Sequence, residues 1–552
     1  MPKSKYLALG AGVALGALMM ASPTFAQGLS GKVTSEAEPT MEGVLVTAKL
    51  DGATIATTVV TNEKGEYNFP ADRLAPGKYT LAIRAIGYVL DGPKTVEVPA
   101  GKAGVADLKL AKTKNLAAQL SNAEWLMSMP GTDKDKQFLD ACSGCHTYKR
   151  IVDSTYEAQD FRDIIFKRMG SYSPGSMPTK PQPLLPGPRG VRPAVSEKAA
   201  PAASEFLAKV NMSSGERSYE LKTIPRPKGR ATHVIITEYD LPAKDWEPHD
   251  VIMDHEGMVW FSDFGDQRMG RMDPKTGKVE AFQLPMMKTD GSPKGGLEIG
   301  EAPNGDIWQS GMYQGGVYRW ERATGKVTAF KIPDQWQTAS TQESMVSPQH
   351  SDVDGFVWTN DQQNHSLLRL NPQTAKYEQM GVEKDASGKP VPGYGIPTDL
   401  QNRPMPLEFS GTHIGRFDPK TGITESFETP FKGSAPRRGR VDAQGRLWFA
   451  EYRGGAVGMF DPKTNEIREY KLKAPWGSPY DVVATKAGEV WSGNMADDMA
   501  VRLDTNSGEE VDYLLPRPTN IRRVFVDERG AKPVLWVGSN HGASIVKVEP
   551  QD

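Results

Sequence analysis

The chain predicts a mainly β protein in three parts: an N-terminal β-sandwich, a small all-α domain and a C-terminal seven-bladed β-propeller. Three observations carry that expectation. The 552 residues include 55 Gly, 42 Pro and 11 Trp, a composition that favours short strands joined by many turns. A turn motif recurs every 43 to 50 residues through the C-terminal half, and periods of that length with four short strands per unit mark radial repeats. Helical spacing of apolar residues is confined to one stretch between the first strands and the repeats.

Residues 1–26 read as a secretory signal peptide. Lys3 and Lys5 precede an apolar, Gly/Ala/Leu-rich run from Tyr6 to Ala21, and Thr24-Phe25-Ala26 forms a small-x-small cleavage site before Gln27. The run is too short and too glycine-rich for a spanning helix. The mature chain is therefore expected to have no transmembrane segment.

Residues 27–111 form the sandwich. Alternating runs such as Val44-Leu45-Val46-Thr47-Ala48, Thr57-Thr58-Val59-Val60 and Tyr79-Thr80-Leu81-Ala82-Ile83 are separated by turn signals. The order Thr61-Asn62-Glu63-Lys64-Gly65-Glu66-Tyr67-Asn68-Phe69, Pro76-Gly77-Lys78-Tyr79 and Arg84-Ala85-Ile86-Gly87-Tyr88 resembles the carboxypeptidase regulatory-like domain. It holds no recurring catalytic constellation, which makes it a structural or docking module, with Tyr67 and Tyr79 as core aromatics.

Residues 112–215 change to a helical pattern over Lys134 to Asp140, Ala158 to Met169 and Ala199 to Val210. The only cysteines, Cys142 and Cys145, sit in Cys142-Ser143-Gly144-Cys145-His146. This C-x-x-C-H spacing lets two thiols add to the haem vinyl groups while His146 meets the iron. A thioredoxin-like pair or a plain disulfide would not need His146, and no βαβ pattern surrounds the cysteines. The segment thus resembles a small cytochrome c domain carrying one covalent haem c, and exported cytochromes c imply a periplasmic location. For the sixth iron ligand, Met177 in Gly175-Ser176-Met177-Pro178 resembles the Met-Pro ligand loop of class I cytochromes c. Met169 competes, but lies at core spacing on an expected helix.

The repeats occupy residues 230–552. Asp273-Pro274-Lys275-Thr276-Gly277 recurs as turns beginning at Glu321, Asn371, Asp418, Asp461 and Asp504, and Trp260, Trp308, Trp358, Met405, Trp448 and Trp491 precede them by 13 positions. A seventh unit keeps Trp536 and lacks the turn; the strand Val234 to Tyr239 is expected to supply its outer edge and close the ring. The degenerate fourth unit also leaves six or eight blades open.

Aligning the units on their turns places His249, Leu297, Ser347, Tyr394, Arg437, Tyr480 and Arg522 at one innermost-strand position. Asp263, Gly311, Asp361, Glu408, Glu451, Asn494 and Ser539 share the position three after the Trp. A packed β core needs neither set, so a polar axial pocket is expected, with His249, Tyr480, Arg437 and Arg522 as its candidate catalytic residues. Of the pairs Arg437-Arg438 and Arg522-Arg523, strand alternation is expected to leave one member each in solvent.

Runs such as Gly445-Arg446-Leu447-Trp448-Phe449-Ala450-Glu451 and Ile467-Arg468-Glu469-Tyr470 resemble the streptogramin (virginiamycin B) lyase propeller. The resemblance carries onto Glu247-Pro248-His249, implying Glu247 as a magnesium ligand and His249 as general base. The second metal carboxylate has no clean match, Asp263 being the nearest.

Charge excludes one class of partner. With 66 basic and 68 acidic side chains, and 64 basic after loss of Lys3 and Lys5, nothing suggests nucleic-acid binding. The leading expectation is a periplasmic haem protein that couples a small-molecule-binding or oxidising propeller to an electron-transfer partner. The alternatives are a carbon–oxygen lyase with Mg2+ and an accessory cytochrome, and a non-enzymatic electron carrier with docking domains. Elimination moves no net electrons, so the haem motif favours an oxidoreductase over a lyase.

Overall fold

The computed structural model describes residues 28–552 apart from 145, 177–179, 187–194, 340–341, 362–365, 383–386 and 389–392. The signal-peptide reading, Cys145 and Met177 lie outside the described residues.

Each repeat folds into an antiparallel blade. Blades 1, 2, 3, 5 and 6 are four-stranded sheets opening on the innermost strands Pro248–Met253, Ile299–Glu301, Glu343–Ser347, Pro436–Val441 and Pro479–Ala484. Blade 4 keeps only the outer strands His413–Asp418 and Ile423–Glu428 as a sheet. Its inner half is held by isolated bridges such as Gly395 to Leu407. Pro397, Pro404 and Pro406 lie there, and a residue without an N–H cannot serve a ladder on both sides. Blade 7 consists of Val524–Asp527, Val534–Ser539 and Ser544–Pro550, and Val234–Asp240 is its fourth strand, in register from Val234 with Pro550 to Asp240 with Ser544. Seven blades close the ring as expected.

One stacking rule repeats between blades. The second-strand Trp lies on an outer-strand aromatic: Trp260 on Phe282, Trp308 on Phe330, Trp448 on Tyr470 and Trp491 on Tyr513, at centroid distances of 5.4 to 6.1 Å. In blade 7, Tyr239 of the closing strand stacks on Trp536 at 5.9 Å. The recurrent turns end in the left-handed region, at Gly277, Gly325, Ala375, Gly422, Asn465 and Gly508. The Gly422 amide returns to the Asp418 carbonyl at 2.8 Å.

The N-terminal domain is fused to blade 7 through a sheet. Ile55–Val60 pairs antiparallel with the far side of Val234–Asp240, so one eight-stranded sheet runs from blade 7 into the sandwich. A second sheet containing Leu29–Ser35 and Leu108–Lys112 packs against it around Leu29, Val33, Val46, Tyr67, Phe69 and Tyr79. Both tyrosines are core residues, and each hydroxyl finds a backbone carbonyl, at Ala106 and Ala75.

The expected all-α cytochrome domain is absent, which corrects the fold class. Residues 112–215 hold helical pieces of 3 to 11 residues, among them Asn122–Ser128, Asp140–Ser143 and Ala200–Val210; the helix expected over Ala158 to Met169 contains a π turn, Phe161–Ile165. Pieces this short do not sustain themselves, and helical stability at such lengths comes from tertiary packing. Trp125, Leu139, Tyr148, Phe161, Phe166 and Leu207 do form a core, but Trp476 of the propeller packs into it, and the Ala123 amide bonds the Ala496 carbonyl at 2.8 Å. The stretch is a helical cover on the propeller. Met169 packs against that core.

The turns give a paired prediction. Gly422 has open space where a Cβ would stand, so Gly422→Ala should cost only the left-handed backbone penalty of about 1 kcal/mol. Ala375→Gly, relieving the same strain, should gain a similar amount. Shifts of the propeller's urea midpoint in opposite directions are expected; a shared direction would contradict the assignment.

Candidate functional site

Bulges at the start of the innermost strands build the site. Pairing registers jump between Pro248 and Val251, between Pro436 and Gly439, and between Pro479 and Asp481. A bulge breaks the period-two alternation, so consecutive side chains both face inward. Arg437 and Arg438, inside the bulge after Pro436, are accordingly both buried, and Arg522 and Arg523, which precede the strand Val524–Asp527 and so escape its alternation, are buried as well. The expectation that one arginine of each pair is merely solvated is wrong for those two reasons.

The inward residues form two layers. In the upper one, His249 Nε2 lies 3.2 Å from the Tyr480 hydroxyl, which lies 2.8 Å from the Tyr394 hydroxyl. The Arg437 guanidinium sits between the rings of Tyr394, Phe409, Tyr452 and Tyr480, 4.0 Å from the Tyr480 centroid. Arg522 lies over Phe264 and Tyr480, and the Phe264 ring is 4.5 Å from that of His249. Sequence alignment of the blades therefore brings its four candidate residues together.

The lower layer was only half legible. Asp250 takes both nitrogens of Arg438, at 2.6 and 2.8 Å, and Arg523 at 3.3 Å. Glu298 pairs with Arg523, and Asp481 with Arg440 at 2.9 Å. Below this ionic plug a cavity of about 610 Å³ opens on the opposite face, lined by Glu298, Glu301, His350, Arg440, Lys486 and Arg523 among others. Asp250, Glu298, Asp481, Arg440 and the cavity went unnoticed because acid–arginine matching across the axis leaves no spacing signal. The Pro that opens three of the innermost strands, at 248, 436 and 479, was the one clue.

Charges in the upper layer follow from this packing. Burial pushes the His249 imidazole down to about 3, Asp250 only partly resisting and Arg522 and Arg438 adding to the fall. Asp250 accepts from Nδ1 at 2.6 Å, leaving the Nε2 lone pair toward Tyr480. Asp250 itself is held well below the carboxylate range: burial opposes ionisation, but Arg438, His249 and Arg523 outweigh it. In the tyrosine pair, burial acts against ionisation of Tyr480, yet Arg437, Arg522 and Arg438 draw it downward, while burial and Tyr480 push Tyr394 up.

Residues 140 to 144 cover this mouth. Asn520 Nδ2 donates to the Ser143 carbonyl at 3.2 Å, Arg522 to the Gly144 carbonyl at 2.8 Å, and Arg453 pairs with Asp140 at 2.9 Å. Cys142 is buried. His146 Nδ1 lies 2.9 Å from the Thr147 carbonyl, an acceptor only, so Nδ1 carries the proton and Nε2 the lone pair. On the other side of the mouth, Gly175 presses on the Phe264 carbonyl, 2.2 Å from where a Cβ would stand.

The donor sets differ in fitness. For a haem held by Cys142 and His146, the surroundings fit: the buried polar atoms Asn520 Oδ1, Arg522 Nε, Ser539 Oγ, Asn540 Nδ2 and His541 Nε2 have no hydrogen-bond partner among the described residues. For a divalent ion on Glu247 and Asp263 they do not fit. Asp263 Oδ1 accepts from the Glu247 and Gly265 amides at 3.3 and 3.0 Å, and Oδ2 from Arg268 at 2.5 Å. Among the described residues no group of three or more His, Cys, Asp or Glu is placed to hold a metal ion.

Acid should loosen this mouth. Between the ordinary histidine value and about 3, the unfolded chain binds a proton that folded His249 refuses, so stability falls as pH falls through that window. Asp250 adds a loss of the same sign at lower pH. The thermal midpoint of His249→Gln should decline less than that of the native chain from about pH 7 to about pH 4. Parallel declines would refute the assignment.

Comparison with known proteins agrees with the two β regions. Residues 28–111 match the carboxypeptidase regulatory-like domain, and residues 229–503 match the virginiamycin B lyase family. No curated protein matches the chain. Among solved structures, a streptogramin B lyase is 20% identical with a TM-score of 0.50, covering 58% of this chain and 99% of its own. Virginiamycin B lyase from Staphylococcus aureus is 18% identical with a TM-score of 0.48, covering 57% of this chain and 98% of its own. The chain thus joins a region similar to the carboxypeptidase regulatory-like domain to a β-propeller similar to that of the virginiamycin B lyase family.

Proposed function

We propose that the propeller's axial mouth is the working site of an exported oxidoreductase, with Cys142, Cys145 and His146 holding a covalent haem and a partner protein receiving its electrons. The observation that carries this reading is the seat of the motif: Ser143 and Gly144 are hydrogen-bonded by Asn520 and Arg522, directly over His249 and Tyr480. A bound haem supplies one-electron chemistry there. The chain's own residues handle the proton. Neutral His249 accepts it at Nε2, Asp250 stabilises the resulting cation through Nδ1, and Tyr480 and Tyr394 continue the relay. Arg437, boxed by four aromatic rings, keeps the mouth positive and suits it to an anionic or carbonyl-bearing small molecule.

A second reading rests on the family match over residues 229–503 and on Glu247-Pro248-His249. In a metal-free form, His249 removes a proton beside a carbon–oxygen bond, the bond breaks, and Tyr480 protonates the departing oxygen. No net electrons move.

One experiment separates the readings. The full chain is produced with cytochrome c maturation factors and offered small organic acids, alcohols and cyclic lactones. Covalent haem that is reduced by a substrate is expected, with reduction slowed about 10²- to 10⁴-fold in His249→Ala and haem lost in Cys142→Ala. Turnover that survives Cys142→Ala but not His249→Ala would overturn the redox reading in favour of the lyase. Haem that exchanges electrons with proteins and is reduced by no substrate would leave a docking electron carrier.

A further inference from the structure

We infer that His541, on the propeller, is the second protein ligand of the iron held by the Cys142–His146 motif. This rests on the haem reading above.

His541 follows the strand Val534–Ser539 of blade 7, the blade that also carries Asn520 and Arg522. Those two side chains grip the Ser143 and Gly144 carbonyls, which brings blade 7 against the motif. The His146 imidazole and the Arg522 guanidinium both lie close enough to His541 to act on its charge. His541 Nε2 is shut off from solvent and has no hydrogen-bond partner among the described residues, and Ser539, Asn540 and Asn520 contribute further unpartnered polar atoms around it. Leaving a buried donor or acceptor unmade is costly, and these four atoms, with Arg522 Nε, make five gathered beside the haem motif. An imidazole nitrogen suits iron, and Arg522 and Asn520 suit the carboxylates at a haem edge.

The inference also accounts for the absence of an all-α cytochrome fold. The short helix Asp140–Ser143 leads into the turn before His146, the first ligand. Blade 7 furnishes the other face of the pocket. The haem site is then composite, and the motif without the propeller would be incompletely ligated.

The test uses the full-length protein matured with haem. Native protein should be low-spin in electron paramagnetic resonance and visible spectra, with the signature of two imidazoles, and should lack the far-red methionine-to-iron charge-transfer band. His541→Ala should retain covalent haem by mass, become high-spin, and return to low-spin on adding free imidazole. His541→Met, which keeps a ligand in place, should gain the charge-transfer band and raise the reduction potential. An unchanged spectrum in His541→Ala, a high-spin native protein, or a native charge-transfer band lost in Met177→Ala would each overturn the assignment while leaving covalent haem intact. Native protein without covalent haem would overturn the underlying reading as well. Circular dichroism of the strands confirms that each variant is folded.

Discussion

Three carboxylates and three guanidinium groups, largely desolvated on the propeller axis, set the terms for everything around them. Asp250, Glu298 and Asp481 come from blades 1, 2 and 6, and Arg438, Arg440 and Arg523 from blades 5 and 7. Such a network is weak evidence for stability, since desolvating six charges offsets much of their attraction. It is strong evidence for geometry. Loss of any one member strands an unpaired buried charge, at about 3–5 kcal/mol, so blades must keep their angular places around the axis. The network also divides the channel in two. Above it lies the His249–Tyr480 layer under its helical cover, and below it the open polar cavity.

That division changes how the axial residues are understood. A ring of His, Tyr and Arg at equivalent positions suggested one pocket. The bulges at Pro248, Pro436 and Pro479 send consecutive residues to different layers: the first of each pair faces the cover and the second joins the ionic plug. Histidine neutrality follows from burial, which Asp250, shared with two arginines, offsets only in part. An imidazole that stays neutral at physiological pH and is held in one tautomer is a proton acceptor, whichever chemistry lies above it.

Much of the architecture could be read from residues alone, for reasons that are physical. Turns ending in a left-handed residue favour Gly or Asn, and in most blades a Trp at fixed distance from them stacks on an outer-strand aromatic, so blade count and the borrowed strand Val234–Asp240 were visible. Helices at Ala158 to Met169 and Ala199 to Val210 were visible through their apolar spacing. What they add up to was not. Apolar periodicity says that a face is buried and is silent about its partner, and here the partner includes Trp476 of the propeller. His541 was unremarkable by spacing, since its significance lies in a fold that returns residue 541 to residue 146. Asp263 looked like a metal ligand until Arg268 was seen to claim it.

The strand Val234–Asp240, bonded on one side to the chain's last strand and on the other to the sandwich, imposes an order on assembly. During synthesis the edge at Ile55–Val60 emerges early and stays bare until residue 234 and its neighbours arrive, and the opposite edge waits for Ser544–Pro550. Contacts so distant in sequence form slowly, and bare edges recruit other chains. Truncation at either end would therefore be felt at the other. The protein is folded only when its two ends have met.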